Sequence, residues 1–113
     1  LMPRLIGLGR AKLLSFTGDL IDAREAERIG LVEKVVPADK LMEEAMSLAR
    51  RLAEGPTKAI GVIKRAMHTA LWTDVDTALA FVTRMQYQLV HTEDHKEAVR
   101  AFIEGRKPEF KGR

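Results

Sequence analysis

The chain has 113 residues, 46% hydrophobic and 31% charged, a length that suits one globular domain. Its 19 Lys and Arg against 16 Asp and Glu give a net charge of +3, short of the surplus that marks a nucleic-acid binder. With no cysteine there is no disulfide framework, thiolate zinc site or cysteine nucleophile, and no apolar run approaches the roughly 18 residues that span a bilayer.

A first helical segment is predicted from Pro3 to about Phe16, carrying Leu5, Ile6, Leu8, Leu13 and Leu14 and ending at Thr17-Gly18-Asp19. Asp22 stands three residues before Glu25, the spacing of a capping box, and Gly30 closes that short helix as a left-handed cap. Leu31 to Val36 is rich in β-branched residues and stops at Pro37, which predicts one short strand near 31–36. A lone strand needs a partner for its backbone groups, from another chain or from sequence upstream.

Asp39 is the expected N-cap of a helix running to about Glu54, with Leu41, Ala45, Leu48, Ala49 and Leu52 as its apolar stripe. Gly55-Pro56 ends it and opens the next, in which Ile60, Ile63, Met67 and Leu71 recur at helical spacing. Gly61 interrupts this helix at a cost of about 1 kcal/mol relative to alanine, so a close helix contact is expected there. Thr73 is read as the cap of a helix with Val75, Ala78, Leu79, Val82, Met85 and Leu89 on one face. Thr92 caps the last helix, Glu93 and Asp94 suit its positive end, and Gly105 terminates it. The fold class is mainly α.

The candidate chemistry is thin. His91 and His95 have the spacing of a helical metal pair, with Asp94, Glu97 and His68 as conceivable further ligands, but Thr92 breaks the helix between them. A solvated helix junction is the favoured reading. Gly7-Leu8-Gly9 lacks the third glycine and the preceding strand of a dinucleotide-binding loop and reads as a turn between two helical pieces. Ser15 sits in an apolar stretch without a nucleophile elbow and is structural. Carboxylates alternate with bases on outer faces, as in Arg24, Glu25, Glu27 and Arg28, which gives none of them an acid's raised pKa. From Arg100 to Arg113, by contrast, five bases (Arg100, Arg106, Lys107, Lys111, Arg113) outnumber Glu104 and Glu109, with Phe102 and Phe110 interleaved. Such a stretch suits an adenine nucleotide's phosphates and base, or it complements the final helix's dipole. Both readings stand on these residues.

Five collinear blocks then carry a resemblance. They are Pro3-Arg4-Leu5-Ile6-Gly7; Leu14-Ser15-Phe16-Thr17-Gly18-Asp19; Asp22-Ala23-Arg24-Glu25-Ala26 into Ile29-Gly30-Leu31-Val32 and Val35-Val36-Pro37; Gly55-Pro56-Thr57-Lys58-Ala59 with Ile63-Lys64; and Thr92 to Glu97 leading to Ala101-Phe102-Ile103-Glu104 and Arg106 to Phe110. Together they resemble the C-terminal portion of the crotonase (enoyl-CoA hydratase/isomerase) superfamily. The resemblance implies a helical domain, residues 1–113, that builds the homo-oligomer (a trimer or dimer of trimers) and closes over bound CoA. An upstream spiral of ββα units, absent from this chain, would hold the oxyanion amides and the acids, so no catalytic residue is expected here. It further implies an acyl-CoA substrate with no metal or redox cofactor, and no nucleic-acid or membrane partner. A cytoplasmic location follows from the lack of a visible signal peptide. Leu1, not being an initiator methionine, fits a piece of a longer protein.

By the same resemblance Phe102 matches a phenylalanine that touches the adenine end of CoA. The lysine that normally follows three residues later is replaced by Gly105, leaving Arg106 or Lys107 to meet the phosphates. Isomerase, dehalogenase and decarboxylase members share this pattern with the hydratases. The competing class is a stand-alone helical interaction module. A fragment of this kind is expected to be inactive alone, to expose apolar faces and to self-associate.

Overall fold

Glycine at position 7 splits the first predicted helix in two, because its backbone sits at φ 81° and ψ 155°, outside helical space. The computed structural model describes all residues, 1–113. The helices are α1 (Met2–Ile6), α2 (Leu8–Thr17), α3 (Ala23–Arg28), α4 (Leu41–Ala53), α5 (Thr57–Ala70), α6 (Val75–Val90) and α7 (Glu93–Glu104), with a 3-10 turn at Ala38–Lys40. The mainly helical fold class stands. Two compact units divide the chain, Leu1–Glu44 and Ala45–Arg113.

In the first unit α1 packs on α2, and Ile6, Ala11 and Ile29 form a small core joined by Met2, Leu14, Ile21 and Leu31. Asp22 caps α3 by accepting from the amide of Glu25 at 2.7 Å. The Glu25 carboxylate does not return to complete a capping box; it forks onto Arg28 at 2.6 Å, which lowers its pKa. At the other end Gly30, at φ 78°, closes a Schellman motif. Its amide donates to the Glu27 carbonyl at 3.0 Å, and that of Leu31 to the Ala26 carbonyl at 2.8 Å.

That motif explains why the strand expected at 31–36 does not form. The amides of Leu31 and Val32 are both directed at the Ala26 carbonyl, and the Val35 amide donates to the Glu27 carboxylate at 3.0 Å. Donors that a ladder would use are spent on the end of α3. Nor does Asp39 cap α4: Pro37 opens a 3-10 turn by accepting from the Lys40 amide at 2.9 Å, and Asp39 lies inside it without capping any amide.

In the second unit α6 packs against α5 and α7. The cap of α6 is Asp74 rather than Thr73. Asp74 accepts from the amide and hydroxyl of Thr77 at 2.9 and 2.7 Å, while the Thr73 hydroxyl turns back to the Thr69 carbonyl. Thr92 caps α7 as predicted, accepting from the His95 amide at 3.2 Å and donating to the Leu89 carbonyl at 2.6 Å. It thereby ties the end of α6 to the start of α7. Gly105, at φ 67°, ends α7 in a second Schellman motif, with the Arg106 amide on the Ala101 carbonyl.

Little of this surface is buried. Only Ile6, Ala11, Ala26, Ile29, Ala101 and the polar Asp94 are buried, and every residue of α4 is exposed, apolar stripe included. The close contact expected at Gly61 is likewise missing, since a Cβ there would meet nothing within 4 Å. Gly30→Ala should lower the chain's unfolding free energy by about 1 kcal/mol, because a side chain strains the left-handed conformation. Urea denaturation checks this, and an unchanged midpoint would show that the Schellman cap is dispensable.

Candidate functional site

The sequence candidates do not converge: the histidines lie in the second unit, and Ser15, Gly7 and Gly9 in the first. His91 follows the last turn of α6 and sets its ring edge-on against Tyr87, with centroids 4.8 Å apart. His95 lies beyond the break, within α7, and no group of three or more His, Asp or Glu side chains is placed to share an ion. Ser15 is an exposed residue of α2. Gly7 is the α1–α2 break itself, the turn between helical pieces that the spacing indicated, and Gly9 is the second residue of α2.

The basic C-terminal stretch, in contrast, is ordered by two carboxylates one turn apart on α7. Asp94 is 5% exposed and accepts from two successive backbone amides, Lys111 at 2.7 Å and Gly112 at 2.9 Å, one on each oxygen. Its own amide donates to the Arg113 carbonyl at 2.9 Å. Gly112 is obligatory in this seat: it sits at φ 71°, and a Cβ would lie 2.8 Å from the Thr57 hydroxyl. Three residues along, Glu97 accepts the fork of Arg106 at 2.5 and 3.1 Å and the amide of Glu109 at 3.1 Å. Arg106 also bonds Glu104 at 2.6 Å and its own neighbour's carbonyl, that of Lys107, at 3.2 Å.

The electrostatics follow from this geometry. The Arg106 bonds, and next the Glu109 amide, pull Glu97 from the usual 4.5 down to about 2. Glu97 and Glu104 in turn hold Arg106 protonated above its ordinary value. The sequence signal for this arrangement was available in Pro108 and Gly112, which punctuate a stretch read as a nucleotide contact or as a complement to the helix dipole. What composition could not show was that Asp94 and Glu97 share the face on which that tail lies.

The three residues matched to a CoA contact therefore differ in environment. Phe102 is 88% exposed on α7 beside the exposed Ile103. Lys107 is 86% exposed, its ammonium 3.6 Å from Glu54. Arg106 has its donors committed to Glu97, Glu104 and the Lys107 carbonyl. Phe110, the other aromatic of the stretch, lines a groove of about 270 Å³ whose walls include Val62 and Ile63 of α5, Val82 and Leu89 of α6 and Ala98 of α7.

This helical arrangement matches the helical C-terminal part of the crotonase fold. The family model for enoyl-CoA hydratase/isomerase matches residues 1–113, and the chain belongs to that family, aligning with its C-terminal part. A short-chain-enoyl-CoA hydratase of Clostridium acetobutylicum is 44% identical over 113 residues, covering 99% of this chain and 43% of the relative. A 1,2-epoxyphenylacetyl-CoA isomerase of Escherichia coli is 35% identical and covers 100% of this chain and 43% of its own length. Among solved structures, an enoyl-CoA hydratase from Bacillus anthracis superimposes with a TM-score of 0.93 at 40% identity, over 99% of this chain and 43% of that one. The chain thus spans less than half the length of these relatives.

The depressed value at Glu97 sets a pH window. Its folded pKa lies below the unfolded one, so its contribution is complete above about pH 4.5 and is lost as pH falls toward 2. Hydrogen exchange at the Glu109 amide should stay slow at pH 5 and accelerate, beyond the intrinsic trend, as pH approaches 2. In Glu97→Gln that acceleration should vanish and protection should already be weaker at pH 7. Identical profiles for the two proteins would contradict the assignment.

Proposed function

We propose that this chain is the C-terminal helical domain, residues 1–113, of an acyl-CoA enzyme that adds water to 2-enoyl-CoA thioesters. In that enzyme it joins subunits and covers the bound CoA. The observation that carries the reading is the family match along the whole chain, taken with apolar faces on α4 and α7 that the chain itself leaves bare. Hydration is favoured over isomerisation because a short-chain-enoyl-CoA hydratase is the relative at 44% identity. The ββα spiral with its oxyanion amides and acids lies outside these residues. Loss of a single oxyanion donor costs about 10²- to 10³-fold in turnover, so the isolated chain is inactive.

The substrate is the CoA thioester itself, with no metal or redox group required for its chemistry. Phe102 stacks on the adenine and Lys107 meets a phosphate, with Arg106 beside them in the same turn. The enzyme acts in the cytoplasm as a homo-oligomer, a trimer or a dimer of trimers, without nucleic acid or membrane partners. No helix is long and apolar enough to cross a membrane. A stand-alone interaction module would leave the match to the CoA-contacting segment without purpose.

Two measurements test this. In the full-length protein Phe102→Ala should weaken CoA binding roughly two- to tenfold by calorimetry, the scale of one aromatic stacking contact. Unaltered affinity would remove Phe102 from the site. The 113-residue chain should scatter light as a dimer or larger species at high concentration, and a strictly monomeric chain would contradict the assembly role.

A further inference from the structure

We infer that Glu97 is a positioning residue that, through Arg106, holds the turn Gly105–Lys107 in one conformation, so that Lys107 rather than Arg106 presents the cation to the phosphates of CoA. The inference rests on the proposed CoA-covering role and adds to it which residues set the contact.

Arg106 and Lys107 are adjacent and equal in charge, yet their surroundings assign them different tasks. The Arg106 guanidinium reaches both oxygens of Glu97, one of Glu104 and the carbonyl of Lys107, so four of its five N–H donors are taken by this chain's own acceptors. Its bond to the Lys107 carbonyl fixes the backbone from which the lysine side chain departs. The Lys107 ammonium has only the long 3.6 Å contact to Glu54, which an incoming phosphate replaces readily.

Asp94 holds the far end of the same segment. With Lys111, Gly112 and Arg113 bonded at the start of α7, and Arg106 and Glu109 bonded to Glu97, residues 106–113 form a loop closed at both ends on one helix. Within it Pro108 has no amide to satisfy. The Schellman motif at Gly105 completes the restraint by tying the Arg106 amide to the Ala101 carbonyl, one residue before Phe102. The aromatic on the last turn of α7 and the ammonium just beyond its cap are thus joined by hydrogen-bonded backbone, which lowers the conformational cost of engaging a flexible ligand.

The test compares CoA with dephospho-CoA, which lacks the 3′-phosphate, in the full-length protein. Lys107→Ala should weaken binding of the phosphate form that Lys107 meets, and Glu97→Gln should reproduce that loss with raised KM and unchanged kcat. The double variant Glu97→Gln/Lys107→Ala should be no weaker than Lys107→Ala, since both changes remove one contact. If only CoA and not dephospho-CoA responds, the phosphate is the 3′ group; if both respond equally, it is the diphosphate. Should Glu97→Gln fail to fold, Arg106→Lys keeps the charge, cannot fork, and should give the same KM effect. Additive losses in the double variant, or Glu97→Gln and Arg106→Lys binding CoA normally while Lys107→Ala does not, would overturn the positioning role and leave the covering role intact. Normal CoA binding by Lys107→Ala would overturn both the positioning role and the phosphate contact.

Discussion

Apolar surface that the chain does not itself cover is the constraint on which everything else depends. A 113-residue domain ordinarily hides a continuous core, whereas here the buried apolar residues are four around α1–α3 (Ile6, Ala11, Ala26 and Ile29) and a single alanine on α7. The amphipathic stripe of α4, from Leu41 to Leu52, is wholly exposed. Helices with one apolar face gain most of their stability by packing that face against something. Under the proposed role the partner surfaces are the rest of the enzyme fold and neighbouring subunits.

Against that background the C-terminal segment is unusually well determined. Charged tails are ordinarily solvated, but this one is fixed by carboxylates that accept backbone amides, a use of charge that depends on direction rather than on sign. Asp94 can be buried because both of its oxygens are satisfied. Glu97 stays ionised far into the acid range because a guanidinium fork and an amide meet it together. The same bonds sort the neighbouring bases into one that is structural and one that faces solvent.

Local rules made much of the fold legible. Apolar spacing marked the helices, Asp22 and Thr92 cap where their side chains can accept from amides three residues on, and Gly18, Gly30 and Gly105 end helices in the left-handed conformation. Composition misled at Leu31–Val36, where β-branched residues suggested a strand but the amides serve a helix end instead. It also misled at Thr73, whose hydroxyl is captured by the preceding turn and leaves the cap to Asp74. Asp39 failed as a cap because Pro37 starts a tighter turn before it. These misses share a cause: each turns on which of two nearby acceptors a donor chooses, and sequence spacing does not resolve that. The clasp around Asp94 was beyond local reading altogether, since it joins residues up to 19 apart along the chain. The site residues entered through five collinear blocks of family resemblance, and geometry then separated Arg106 from Phe102 and Lys107.

The central claim is that these residues shape and cover a thioester site without performing its chemistry. Its most direct measurement is the hydration of crotonyl-CoA by the purified 113-residue chain, followed by loss of the enoyl absorbance. The predicted result is a rate indistinguishable from buffer at every protein concentration, including those at which the chain self-associates. Turnover that scales with the chain, survives repeated purification and saturates with substrate would contradict the claim.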